Sequence, residues 1–243
     1  RRVLFRSSLL LALLAQAGIN VINDYCDWEN GGDACNNARL FPFTGGSRFI
    51  QNGVLTPHQT HRFALILFGL VAIGGLSVLF LTHRWELISL GFIAVVLGWG
   101  YSAPPLRLNS RGWGEISVAV GFMLMVIGTA VVQQPTTLNL ASRVALSYGL
   151  LLATLLYVNQ FPDRQADAQV GKHHWVVRLS LPRAVLGYLL LVLFAYTSLL
   201  VQIGWGELPR ACALALLTAI PHGLAWLILR QHAANPAALR PAL

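Results

Sequence analysis

The chain has 243 residues, 56% of them hydrophobic and only 11% charged, and a formal net charge of +8. Soluble domains carry about 25% charged residues, so this composition excludes an ordinary water-soluble globule and indicates an integral membrane protein. The basic residues, one Lys and otherwise Arg, are scattered through the loops without forming a tract, which excludes a nucleic-acid-binding surface as the reason for the charge.

Seven apolar segments follow in order, at roughly 7–22, 62–82, 86–101, 115–134, 142–160, 183–203 and 209–229. Crossing a hydrocarbon core takes about 20 residues, and a backbone in lipid must bond to itself. The expected fold class is therefore all-α, a polytopic transmembrane helical bundle. Segments 7–22 and 86–101 are short for a full span. Pro162 is expected to disrupt the helix just before Asp163, and Pro221 to kink the last segment. No linker, low-complexity block or repeat divides the chain, so 1–243 reads as one transmembrane domain.

Seven crossings put loops 23–61, 102–114 and 161–182 and the C-terminal tail on one side. That side, with the ends of the helices leaving it, holds Arg39, Arg48, Arg62, Arg107, Arg111, Arg164, Lys172, Arg178, Arg183, Arg230 and Arg240; the other holds Arg1, Arg2, Arg6, Arg84, Arg143 and Arg210. The positive-inside rule places the richer side in the cytoplasm, consistent with a bacterial inner membrane. The N-terminus then lies outside, yet the sequence opens RRVLFR without Met or signal peptide and ends abruptly in NPAALRPAL. The expectation is a chain truncated at both ends. Cys26, Cys35 and Cys212 form no close pair of the kind zinc sites use, and a cytoplasmic loop does not favour disulfides.

Negative charge is confined. All five aspartates lie in two stretches, NDYCDWENGGD at 23–33 and NQFPDRQAD at 159–167. Glu86, Glu115 and Glu207 stand near helix ends, where a solvated charge or a favourable helix dipole accounts for them. Asp24 and Asp27 are three residues apart, and Asn159, Asp163 and Asp167 form an i, i+4, i+8 row, spacings that project from one helical face. Solvated loops would mix Lys, Glu and Ser with Asp, whereas ionisable groups at a membrane span point to function. Hard carboxylate oxygens suit Mg²⁺, which takes one or two carboxylates and completes its shell with water and substrate phosphate. Basic residues on the same side, Arg48, Arg107, Arg111, Lys172 and Arg178, suit a phosphate partner, arginine through its bidentate fork, although topology alone also accounts for each. PFTGGSR at 42–48 offers a Gly-Gly-Ser turn beside Arg48, and YSAPPLR at 101–107 sets Tyr101 and Arg107 across a double proline. His58, His61, His173 and His174 read as interfacial polar residues.

Together these segments resemble the UbiA family of intramembrane polyprenyltransferases, over about residues 7–229. NDYCDWENGGD is similar to the family's first aspartate-rich motif and DRQAD at 163–167 to its second; YSAPPLRL is similar to the stretch after the fourth family helix, where a tyrosine and a basic residue face the active site, and GKHHWVVRLS at 171–180 to the segment that follows the second motif. The resemblance implies nine transmembrane helices around a cavity, of which the seven here correspond to the second through eighth. It implies Mg²⁺-dependent transfer of a polyprenyl group from its diphosphate to an aromatic acceptor. Asp24, Asp27, Asp163 and Asp167 would be catalytic and, with Asp33, metal ligands; Asn23, Arg48, Tyr101, Arg107, Asn159, Lys172 and Arg178 would bind substrate. Gly31 stands where the common motif has Asp, and Asp33 matches the longer spacing of the branch that prenylates 1,4-dihydroxy-2-naphthoate for menaquinone. Prenylation of 4-hydroxybenzoate or another aromatic acceptor is the alternative, and a transporter of phosphorylated lipid or divalent cation the alternative of another class. Tyr25, Trp99, Tyr101 and Tyr157 are the aromatic faces available to an allylic cation. A base would take the ring proton, and no residue in the sequence identifies itself for that role.

Overall fold

A computed structural model describes residues 2–243; Arg1, counted above, lies outside them. Its long helices are α1 (Arg2–Glu29), α3 (Pro57–Thr82), α4 (Glu86–Gly100), α5 (Gly114–Gln133), α6 (Leu138–Gln169), α8 (Leu181–Gly204) and α9 (Ala219–His232), with short helical turns α2 (Gly32–Cys35) and α7 (Trp175–Arg178) between them. Six helical stretches are long and apolar enough to cross a membrane, and Glu86–Gly100 is a shorter apolar helix. The apolar faces point outward: only 22% of the apolar window of α3 is buried, and Leu70, Ile73, Leu81, Phe92 and Leu224 are exposed. Helices that are hydrophobic all round yet unburied by protein have lipid as their solvent. The chain is a polytopic membrane bundle.

Several ends differ from the sequence reading. The first segment is not short: α1 runs seven residues past position 22 and carries Asp24 and Asp27 on its last turns. α6 runs unbroken through Pro162, so the Asn159–Asp163–Asp167 row stays on one face. A proline deletes one i→i−4 bond, and here the surrounding packing holds the helix regardless, since Phe161 and Pro162 are both fully buried. Pro221 does not kink a helix interior. It is the third residue of α9, and the change of pitch comes just ahead of it, from a 3-10 stretch over Arg210–Thr218, where its missing N–H is one of the amides a helix start leaves unpaired. Thr56 caps α3 in a reciprocal capping box with Gln59, followed by Pro57 at the first helical position, which sets that helix start firmly.

α5 packs most extensively on α6, and α1 on α3. Tyr157, Phe161, Tyr188, Val192, Tyr196, Leu229 and Leu239 form the larger core, joining α6, α8, α9 and the C-terminal turn. Where α5 crosses α6 the helices touch through Gly149, whose absent Cβ would lie 2.5 Å from the Ala119 carbonyl oxygen. Gly149→Leu should push the two helices apart, destabilising by about 1–3 kcal/mol and lowering the thermal midpoint in detergent. Gly69→Leu, with nothing within 4 Å of the added Cβ, should leave the midpoint unchanged.

Candidate active site

α1, α3, α4, α5 and α6 enclose a cavity of about 1240 Å³. Its wall on α1 reaches from Ser8 to Asp27, roughly 28 Å of helix at 1.5 Å per residue, so it runs through most of a bilayer's depth. One end is apolar, with Leu11, Ala12, Leu76, Leu79, Phe92 and Met125 in its wall; the other is polar and gathers both aspartate motifs.

The polar end is assembled from helix termini. α1 stops at Glu29, and Gly31, at φ 80° in the left-handed region, reverses the chain into α2. Glycine is the usual residue in that position after a helix. The reversal turns Asp33 back into the cavity wall, 4% exposed, where its carboxylate accepts from Gln51 Nε2 at 2.8 Å. Burial, with repulsion from Asp27 and Asp24, pushes the Asp33 carboxyl up to about 6.

The two motifs meet through Lys172. Its Nζ lies 2.8 Å from Asp27 and 3.3 Å from Asp167, with all three side chains less than one-fifth exposed. Burial alone would lower its pKa, but the two carboxylates outweigh that and hold the ammonium well above its ordinary value. Asn36 adds a second link, donating from Nδ2 to Asp163 at 2.6 Å. Asp24 accepts from the Ser47 hydroxyl at the Gly45–Gly46 turn, and Asn23 donates to Ser102 at 2.8 Å. Tyr101 and Asn159 line the cavity as well.

The arginines are placed differently. Arg48 is outside the cavity wall; its guanidinium donates to the carbonyls of Asp33 and Asn36, neutralising the C-terminal end of α2. Arg178 is exposed and donates to the Arg111 carbonyl at 2.9 Å, tying the loop after α6 to the loop before α5. Arg107 is exposed, with a left-handed φ of 45° at the entrance to a 3-10 turn. None of the three reaches the cavity, because in each the loop backbone or solvent takes the guanidinium. Of the aromatic residues considered, only Tyr101 lines it. Tyr25 packs tilted against His61, Trp99 edge-to-face against Phe68, and Tyr157 against Phe161.

Sequence reasoning missed Asn36, Ser47 and Gln51, whose partners lie in the folded loop, and it misread two residues. His174 is not interfacial: it is 2% exposed, and its Nε2 lies 3.1 Å from Asp167 Oδ2. Glu115 is not a solvated helix-end charge: it is 7% exposed, and neither carboxylate oxygen closes a hydrogen bond.

Among the described residues, no three acid, His or Cys side chains converge into a ready metal polyhedron; Lys172, Asn36, Ser47, Gln51 and His174 hold the carboxylates apart. The donor set nevertheless fits Mg²⁺ in kind, with hard oxygens on both walls and Asn36 Oδ1 and Asn159 Oδ1 buried without a protein partner. A cation that keeps much of its water shell needs few protein ligands.

The cavity is thus two-ended, an apolar chamber at membrane depth whose mouth is made of two facing aspartate motifs. The profile of the UbiA prenyltransferase family matches residues 3–241, and the chain belongs to that family. It is 30% identical over 178 residues to the 1,4-dihydroxy-2-naphthoate octaprenyltransferase of Escherichia coli, covering 71% of this chain and 56% of that one. It is 27% identical over 179 residues to the 2-carboxy-1,4-naphthoquinone phytyltransferase of Synechocystis, covering 72% and 54%. A shorter match, 29% over 115 residues, is to the bacteriochlorophyll synthase 33 kDa chain of Rhodobacter capsulatus, covering 43% and 38%. The chain thus spans little more than half the length of the naphthoate relatives. No solved structure matches it.

Removing the ammonium should be costly, because breaking a buried ion pair strands its partner at about 3–5 kcal/mol. Lys172→Met should lower the thermal midpoint in detergent, and adding Asp167→Asn or Asp27→Asn should restore part of the loss. Strictly additive losses would show that the three groups are not coupled.

Proposed function

We propose that this chain carries the catalytic cavity of a polyprenyltransferase that moves a prenyl group from its diphosphate to an aromatic acceptor, 1,4-dihydroxy-2-naphthoate in menaquinone biosynthesis. The observation that carries the reading is the meeting of the two aspartate motifs, with Lys172 between Asp27 and Asp167, around one end of a long apolar cavity. The names of the naphthoate relatives favour the acceptor, as does the position of Asp33 in the cavity wall.

Asp24, Asp27, Asp163 and Asp167, with Asn23, Asn159 and Asp33, would hold Mg²⁺. The bound ion supplies positive charge against the departing diphosphate. Lys172 presents its ammonium to the same anion and keeps the acids ionised and apart. The apolar walls of α1, α3, α4 and α5 take the isoprenoid tail and keep water from an allylic centre. As the bond from the allylic carbon to the diphosphate oxygen breaks, the pair leaves with the diphosphate; the electron-rich ring forms the new carbon–carbon bond and regains aromaticity by releasing the displaced group without its electron pair, a proton or, from a carboxyl-bearing carbon, CO2. Tyr101, in the cavity wall, is the aromatic ring that would stabilise the cationic carbon. Arg48 and Arg178 serve as loop anchors rather than diphosphate ligands, and Arg107, exposed, is left out of the diphosphate set. The reading places the mouth at the cytoplasmic face of a bacterial inner membrane, on the distribution of Arg and Lys.

Membranes carrying the chain, given labelled prenyl diphosphate and a panel of aromatic acceptors, should form product with Mg²⁺ and none with EDTA. Asp163→Ala and Asp24→Ala should each lower the rate at least about 100-fold. Metal-independent product, or full activity in Asp163→Ala, would overturn the mechanism, and the acceptor that reacts identifies the branch.

A further inference from the structure

Ser102 is buried, 5% exposed, and stands behind the cavity wall rather than in it. Its hydroxyl oxygen receives two side-chain amides. Asn23 donates to it from Nδ2 at 2.8 Å and Asn109 from Nδ2 at 3.3 Å, and both asparagines are in the wall. The Asn109 amide is held the same way from its other end, where Oδ1 accepts from the Ser110 hydroxyl at 3.0 Å. A serine oxygen has two lone pairs, and the two amides use both.

That double acceptance decides how Asn23 is turned. An asparagine side chain has nearly the same shape with its oxygen and nitrogen exchanged, so packing alone does not choose between them. Ser102 does: as an acceptor it takes the Nδ2 end of Asn23 and leaves Oδ1 for the cavity. Turned over, Asn23 would offer N–H groups beside Asp24, where a cation needs oxygen. A simple tie between α1 and the loop after α4 would be served by either end of the amide.

The backbone holds this arrangement in place. Ala103 packs in one buried cluster with Ile22 and Cys26, which precede and follow Asn23 on α1. The loop carrying Ser102 is closed on itself, with the Ala103 amide on the Trp99 carbonyl at 3.1 Å and the Asn109 amide on the Tyr101 carbonyl at 2.9 Å. The end of α1 therefore has a fixed register against Ser102.

We infer that Ser102 is a positioning residue that holds the Asn23 amide with Oδ1 toward the polar end of the cavity and so sets the affinity for the divalent cation that accompanies a diphosphate. The inference rests on the transferase reading for the cation. It goes beyond that reading in assigning the orientation of a ligand to a residue that itself touches neither cation nor diphosphate, the way outer partners orient metal ligands generally.

The test reads metal binding rather than turnover. The purified chain in detergent, with inorganic diphosphate at a fixed concentration, is titrated with Mg²⁺ while the thermal midpoint is followed. Ser102→Ala should raise the Mg²⁺ concentration that gives half the midpoint shift by about 10- to 100-fold, the range for a lost outer partner. Asn23→Ala should raise it at least as much, and adding Ser102→Ala to Asn23→Ala should cost nothing further, since the amide to be oriented is gone. Ser102→Thr, which keeps the hydroxyl, should titrate as wild type does. Ser102→Cys, whose sulfur accepts only weakly, repeats the test should the alanine variant not fold.

Losses that multiply in the double variant would overturn the inference, because a merely structural role is indifferent to Asn23. A wild-type titration in Ser102→Ala or Ser102→Cys would do the same, as would a loss in Ser102→Thr as large as in Ser102→Ala. All of these leave the transferase reading standing. A wild-type chain whose midpoint ignores Mg²⁺ would sink that reading and this inference together.

Discussion

The ammonium of Lys172 is the interaction on which the site depends. Asp27 ends α1 and Asp167 ends α6, and both carboxylates are mostly withdrawn from water. At low effective dielectric two such charges repel strongly, and nothing in the apolar packing of α1 and α6 would hold them together. One cation between them turns the repulsion into a link. The close approach of the two motifs, the position of Asp163 against Asn36 and the enclosure of the cavity mouth all follow from it.

Around that link the loops are ordered by backbone carbonyls rather than by ligands. Arg48 closes the end of α2, Arg178 bridges to Arg111, and the His173 amide donates to the Ser110 carbonyl at 2.8 Å. The wall of the mouth is therefore built from three loops pinned to one another. This explains how a site made of helix ends, where backbone groups lack intrahelical partners, is nonetheless well defined. Asn36, Ser47 and Gln51 complete it by each taking one carboxylate oxygen.

Much of this was legible in the sequence. Apolar length gave the helices, because lipid leaves the backbone no other solution, and confinement of Asp to two motifs marked the polar end of the cavity. What escaped was tertiary. Pro162 signals a helix break locally, yet the packing of Phe161 and its neighbours overrides it. An arginine in a loop reads equally as a phosphate ligand or as an anchor, and only the fold reveals which carbonyls claim Arg48 and Arg178. His174 and Glu115 lie at the margins of apolar segments, where sequence suggests solvent; both are buried because loop 172–180 folds back over the start of α5. At Gly31 the left-handed turn brings Asp33, two residues on, into the cavity wall.

The Gly149 crossing has a mechanical meaning for the cavity. α5 and α6 meet there with backbone against backbone position, so that side of the chamber is jammed and yields little. Elsewhere the lining glycines Gly75 on α3, Gly91 on α4, and Gly121 and Gly128 on α5 have nothing within 4 Å of where a side chain would begin. Bulk added at the Gly149 crossing therefore meets backbone, whereas bulk added at those four positions is taken from the space of the chamber.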